Sequence, residues 1–241
     1  MAKRKVTPAL LAALLVAGWI AELPVPVYAQ RSDNPTVFSE EFLTALGAIF
    51  RISKDVAEDA AEYFKDASTR VLQKFSGMEG VKQYIINLYK DTLKDKATEL
   101  ADEVVDDLLT NAGRELDYQF SRSGFVVHVE VKTSASNLGH AMKEALQDIA
   151  LAENVGKGTL FVWFIDPIAA RDAKLKPLMD ALKKNGIVVI TDSESLRVLK
   201  TLDSNYRSRY GMDLIGSVAD WYGVKDPEAR AAFREAVESG D

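Results

Sequence analysis

From Phe38 to about Leu109 the apolar residues recur every three to four positions, the stripe of amphipathic helices. Phe38, Phe42, Leu46 and Ile49 mark a first helix. Val56, Ala60, Tyr63, Phe64, Ala67, Val71 and Phe75 mark a second, with Ser53 placed to cap it. Ser76-Gly77 and Gly80 break the pattern. Val81, Tyr84, Ile85, Leu88, Leu93, Ala97, Leu100, Val104 and Leu108 then predict one long third helix. Asn111-Ala112-Gly113 reads as its stop.

Beyond Gly113 the period drops to two. Leu116, Tyr118 and Phe120 alternate with Glu115, Asp117, Gln119 and Ser121, which predicts a strand with one apolar face. Arg122-Ser123-Gly124 is a turn. Phe125, Val127, Val129 and Val131 alternate with Val126, His128, Glu130 and Lys132, so the two strands form a hairpin. A helix follows over about Leu138–Glu153 and ends before Gly156-Lys157-Gly158. Thr159–Ile165 is continuously apolar, as in a strand buried on both faces. Asp166-Pro167 begins a helix running to about Lys184, Asn185-Gly186 ends it, and Ile187–Ile190 is a second buried strand. Ser193 caps a helix through about Leu202, and one or two helices follow Asp213. Hairpin, helix, strand, helix, strand, helix is the order of an α/β domain with a mixed central sheet flanked by helices. The expected organisation is therefore an N-terminal segment over 1–29, a helical region over 30–112 and an α/β domain over 113–241.

The N-terminal segment has its own character. Lys3-Arg4-Lys5 precedes an apolar run from about Val6 to Ile20, and Val27-Tyr28-Ala29 follows Pro24 and Pro26. Basic, apolar, then cleavable is the layout of a secretory signal peptide. The run is short for a membrane span of about twenty residues, so an uncleaved membrane anchor is the second reading and a packed helix the third. Either of the first two places the rest of the chain outside the cytoplasm, secreted, periplasmic or membrane-attached. Without export the chain is cytoplasmic.

Composition narrows the chemistry. The absence of Cys removes disulfides, thiolate metal sites and Cys nucleophiles. Only His128 and His140 are present, so a metal site must be built from oxygen, which favours magnesium or manganese over zinc. The net charge of −6 means that any nucleic-acid contact needs a local basic surface. Residues 30–112 do not supply one, with ten basic against sixteen acidic residues. They read as a packed bundle or a surface for a protein partner.

Glu130 and Lys132 stand two apart on a strand and so share its polar face. If Ser121 pairs with Gly124, Asp117 lies opposite His128 and Glu115 opposite Glu130, with Asp117 and Glu130 diagonal neighbours on one face. Like charges so placed repel, and a divalent cation would relieve them. The fitting chemistry is phosphodiester hydrolysis. Asp117 and Glu130, with Glu115 nearby and the Val131 carbonyl as a third protein ligand, hold the metal. Lys132 positions water or stabilises the developing negative charge.

The string Gly113-Arg-Glu-Leu-Asp117-Tyr, the hairpin and Val129-Glu130-Val-Lys132-Thr-Ser134 resembles the core motif of the PD-(D/E)XK, or restriction-endonuclease-like, nuclease superfamily. The likeness covers about residues 113–191. It implies a restriction-endonuclease-like core with Asp117, Glu130 and Lys132 as its active site. Family members often carry a Gln on the next helix, a place Gln147 fills. Leu116 stands where the family's motif has its Pro.

Residues 171–210 hold nine basic and five acidic residues. Lys174, Lys176, Lys183, Lys184, Arg197, Lys200, Arg207 and Arg209 are candidate phosphate contacts, and Tyr206 and Tyr210 candidate base-stacking groups. The expected function is a metal-dependent nuclease acting on DNA, or on RNA. The alternative is a catalytically inactive nuclease-like protein whose helical half binds a partner. A doubly wound nucleotide-binding protein needs a Gly-rich turn between a strand and a helix, and Gly156-x-Gly158 precedes a strand instead.

Overall fold

In a computed structural model of the chain, the residues described are 64–110, 113–114, 116–122, 124–192, 195–221 and 224–239. The N-terminal segment, the helix expected from Phe38, the Ser53 cap, Glu115 and Ser193 lie outside them. The described residues fall into two compact units, divided between Thr191 and Asp192.

The first unit opens with three helices, α1 (Ala67–Lys74), α2 (Met78–Leu93) and α3 (Lys96–Thr110). The hairpin strands β1 (Tyr118–Arg122) and β2 (Phe125–Lys132) follow. Then come α4 (Leu138–Ala152), β3 (Thr159–Ile165), a 3-10 turn at Ala169–Arg171, α5 (Leu175–Lys184) and β4 (Val188–Ile190). The sheet order is β1-β2-β3-β4, with β1 antiparallel to β2 and the other pairs parallel. The molecule is thus α/β, with a small mixed sheet flanked by helices. Strand order increases steadily from β2 to β4, so right-handed crossovers place α4 and α5 on the same face of the sheet. Phe161, Trp163 and Ile165 of β3 share one core there with residues of α1 to α5. Leu160, Val162 and Phe164 on the opposite face of β3 are buried as well, which accounts for its unbroken apolar sequence.

The helical region and the sheet therefore belong to one compact unit. The change of period at Gly113 separates helices from strands but does not divide the first unit. The long third helix is also two helices. Lys94, at φ 53, closes α2 through its N–H to the Lys90 carbonyl at 3.2 Å, and Ala97 N–H to the Lys94 carbonyl at 3.0 Å begins α3. The apolar spacing runs through this bend because Val81, Ile85 and Tyr89 on one side and Ala97, Leu100 and Val104 on the other enter the same core. The helix expected from Asp166 begins only at Leu175. Asp166 instead accepts a hydrogen bond from Ala169 N–H at 3.1 Å, and Asp172 one from Lys174 N–H at 2.8 Å. These side-chain bonds hold a turn in place of the first helical turns.

The second unit contains α6 (Ser195–Tyr210), α7 (Leu214–Trp221) and α8 (Pro227–Ser239). Asp203 of α6 accepts from Ile215 N–H at 3.0 Å, which satisfies a free donor in the first turn of α7. Tyr206 is completely buried, so it is not an exposed platform for stacking bases.

Gly80 marks the tightest packing of the helical layer. A Cβ there would lie 1.6 Å from the Phe75 carbonyl oxygen, a backbone atom that cannot swing aside. Gly80→Ala gains helix propensity worth about 1 kcal/mol but forces α1 and α2 apart. The expected net result is destabilisation of about 1–3 kcal/mol, read as a lower midpoint in urea unfolding. An unchanged or raised midpoint would show that the Phe75–Gly80 turn relaxes freely.

Candidate active site

The hairpin register differs from the expected one. Tyr118 pairs with Val129, Gln119 with His128 and Arg122 with Phe125. β1 runs on to Arg122, and Gly124, just before β2, takes φ 87, a value suited to glycine. The pairing is shifted by two residues from Ser121 opposite Gly124. An even shift keeps every side chain on its face, so Asp117 remains on the Glu130 side. Asp117 lies just before β1, exposed, and its Oδ2 accepts from Val131 N–H at 2.7 Å.

The Glu130 face of the sheet is buried beneath the helices rather than open. Glu130 is 3% exposed. What permits a carboxylate there is Arg114, which is itself 5% exposed. Its Nη2 donates to Glu130 Oε2 at 2.8 Å and to Asp148 Oδ2 at 3.1 Å. Nε donates to Asp148 Oδ1 at 2.8 Å, and Nη1 to Glu144 Oε1 at 3.2 Å. One guanidinium thus joins β2 to two successive turns of α4. Trp163 Nε1 of β3 completes Asp148 at 2.7 Å.

Lys132 closes the outer side of this cluster. Its Nζ pairs with Glu130 Oε1 and Glu144 Oε2, and lies 5.5 Å from the centroid of the Trp163 ring. His140, one turn before Glu144 on α4, approaches Glu144 Oε1 at 3.2 Å. The register of β2 with β3 sets Glu130 beside Trp163 and Lys132 beside Ile165. The cluster therefore lies toward the carboxyl end of two parallel strands, where open α/β sheets place their sites.

The electrostatics follow from burial against charge. Burial pushes Glu130 well above the usual carboxylate range; Arg114 and Lys132 oppose this, and Glu144 and Asp117 add to it. Burial also pushes Glu144 up, but the His140 hydrogen bond and the charges of Arg114 and Lys132 outweigh it and hold Glu144 low. Burial lowers Lys132, yet the Glu130 and Glu144 charges prevail and raise it. Lys132 is therefore a standing cation.

Asp117, Glu130, Val131 and Lys132 are brought to one place. Gln147 is fully buried, and its Nε2 donates to Ser68 Oγ at 3.1 Å and the Gly113 carbonyl at 2.9 Å. It ties α4 to α1 and to the start of the β1 segment. The basic candidates divide between the two units. Lys174, Lys176, Lys183 and Lys184 are exposed along α5 and just before it in the first unit, with Lys176 paired to Asp180 at 2.9 Å. Arg207 and Arg209 belong to the second unit, where Arg207 is paired with Asp203 at 3.0 Å and Asp213 at 3.1 Å. Arg197 is likewise paired with Asp192.

Sequence reasoning missed Arg114, Glu144, Asp148 and Trp163. The signal was in α4, where every residue from Gly139 to Leu151 except His140 is buried, acidic ones included. A helix that buries Glu144 and Asp148 one turn apart requires a buried cation. Comparison with protein-family models, with curated proteins and with solved structures returns no match.

His128, one position along the same face from Glu130, is 6% exposed and packs against Phe161 at 4.8 Å and edge-on to Phe64 at 5.2 Å. Its Nδ1 has no hydrogen-bond partner. Burial, with the Arg114 charge, lowers its pKa to about 4. The folded value lies below the ordinary one, so the folded state binds fewer protons as the pH falls through this window. The neutral ring's contribution is present above pH 6.5 and lost toward pH 4. His128→Phe should therefore flatten the fall in unfolding free energy between pH 6.5 and pH 4, by up to about 3 kcal/mol. Parallel pH profiles for the two proteins would contradict the assignment.

Proposed function

We propose that the first unit is a metal-dependent nuclease of the restriction-endonuclease-like kind, with Asp117, Glu130 and Lys132 at its centre. The observation that carries this reading is the convergence of Asp117 with the Glu130-Val131-Lys132 strand end, on a face where Glu130 is held upward in pKa by burial and by neighbouring carboxylates. The donor set suits a hard cation. Every acidic group is an oxygen donor, and Asp117, Glu130, Glu144 and Asp148 outnumber the permanent cations Arg114 and Lys132. Among the described residues no three acidic or histidine side chains gather as a ready-made metal cage. The set proposed is smaller: two carboxylates, Asp117 and Glu130, with the Val131 carbonyl.

Magnesium or manganese held there would supply Lewis acidity to a phosphate oxygen. The chain's own groups do the rest. Arg114 fixes Glu130 Oε2 from the inside, so Glu130 has one oxygen, Oε1, on the Lys132 side. Lys132 keeps its proton and serves as the cation facing charge that develops on the phosphoryl oxygens. Glu144 holds the ammonium from behind and Trp163 lies beside it, which restricts where it can point. Lys174, Lys176, Lys183 and Lys184 are the phosphate-backbone contacts of this unit, for a substrate that is DNA or, alternatively, RNA. The N-terminal segment makes the exported or membrane-attached location part of the same proposal.

One observation favours a second reading. Both oxygens of Glu130 and of Glu144 accept from Arg114 or Lys132, so the cluster also stands as a self-contained ion-pair core. On that reading the protein has a nuclease-like fold without chemistry, and its helical layer binds a protein partner.

One assay separates the two. The full-length chain is incubated with labelled single- and double-stranded DNA and with RNA, in magnesium, manganese or EDTA. Metal-dependent cleavage is expected, reduced about a hundredfold or more in Glu130→Ala and in Lys132→Ala. Absence of cleavage on all three substrates, with no divalent-ion binding by calorimetry, would overturn the nuclease reading in favour of the second.

A further inference from the structure

His140 lies where α3 and α4 pack together, between two carboxylates. Its Nε2 is 3.2 Å from Glu144 Oε1, one turn further along α4, and its Nδ1 is 3.8 Å from Asp107 Oδ2 of α3. A neutral imidazole carries one N–H, so either tautomer turns a lone pair toward a carboxylate. Only the imidazolium presents a proton to both. The other charges around the ring are Lys143 of α4, whose Nζ lies 3.5 Å from Asp107 Oδ2, and Lys132 of β2 and Arg114, both paired with Glu144. Glu103 of α3 adds a negative charge against Gly139, the residue before His140. The ring is 46% exposed, so it exchanges protons with solvent, while the Glu144 carboxylate that it touches is 10% exposed.

We infer that His140 is a pH-operated clasp: when protonated it joins Asp107 of α3 to Glu144 of α4 and slackens the hold of Glu144 on Lys132. The clasp acts on the charges of the cluster and does not depend on cleavage. Glu144 accepts from Arg114 at Oε1 and from Lys132 at Oε2. A third cation at Oε1 offsets part of the carboxylate's single charge, so the net attraction left for Lys132 is smaller. Loss of the proton removes that cation and sets a lone pair against Asp107 or Glu144. The exposed ring is then free to turn to water, and Lys132 is held harder. The direction of the titration agrees. The Glu144 hydrogen bond raises the His140 pKa and the Glu144 charge adds to this, while burial and the Lys132 and Lys143 charges oppose it. A folded value above the ordinary 6.5 gives a contribution to stability that is complete below pH 6.5 and is lost as the pH rises through the folded value. His128, whose pKa is lowered, loses its contribution on the acid side instead, so the two effects are separable.

The test is an NMR titration of the full-length protein, which has only 2 histidines, with His140 assigned by the loss of its signal in His140→Gln. The expected His140 midpoint lies above the ordinary histidine value. It falls toward that value in Asp107→Asn, a substitution at a side chain that is 42% exposed. The Lys132 ammonium, followed by carbon-13 at Cε and assigned by its loss in Lys132→Arg, is expected to shift at the His140 midpoint in the wild type and not in His140→Gln. In urea unfolding, the wild type is expected to hold an advantage over His140→Gln at pH 6.5 that shrinks as the pH rises. A His140 midpoint at or below the ordinary value, or one that Asp107→Asn leaves in place, would overturn the clasp. A Lys132 signal blind to the His140 titration would overturn its reach into the cluster. The wild-type midpoint decides the first point even if Asp107→Asn does not fold.

Discussion

The ion pairs of Arg114 are the constraint on which the first unit depends. The residue lies in the short link between α3 and β1, and its backbone N–H bonds the Phe64 carbonyl at 3.2 Å. Its side chain then reaches β2 and α4 together. Three carboxylates buried without it would each keep a desolvation cost of several kcal/mol, and removing one partner of such a network costs about 3–5 kcal/mol. The same network fixes the rotamers of Glu130 and Glu144, and through them the ammonium of Lys132. Stability and the candidate chemistry are therefore carried by the same bonds, which is how a site is held within the tolerance that catalysis needs.

The architecture was largely readable where local patterning and tertiary packing agree. β2 and β3 were assigned with their observed bounds, and α4 within one residue, because alternation, an unbroken apolar run and glycine punctuation each point one way. The bend at Lys94 was not readable: no glycine or proline marks it, and the apolar spacing continues across it. The hairpin register was set two residues off because Arg122, taken for part of the turn, is the last residue of β1. Since side chains alternate with period two, the error left Asp117 and Glu130 on the same face. The Tyr206 assignment failed differently: its helix proved longer than expected, and the residue fell on the inward side.

The candidate site was readable only in its outer part. Glu130 and Lys132 stand out because two charged residues two apart on a strand demand a shared environment. Arg114, Glu144 and Asp148 are distant in sequence and ordinary in kind, so only the fold brings them together. The polar residues of the hairpin give no sign that their face is covered by helices, as it is because α4 and α5 cross on that side and α1 packs behind them. That covering is what gives the cluster its altered proton affinities, and it leaves Asp117 exposed and Lys132 partly exposed at its edge.

The proposed nuclease site, with a divalent ion held by Asp117, Glu130 and the Val131 carbonyl, is tested most directly by anomalous diffraction from crystals soaked in manganese. The account predicts one peak within about 2.1–2.3 Å of those three oxygens, with Lys132 released from Glu130 and Arg114 unmoved. No peak at all, while Lys132 still bridges Glu130 and Glu144, would contradict it.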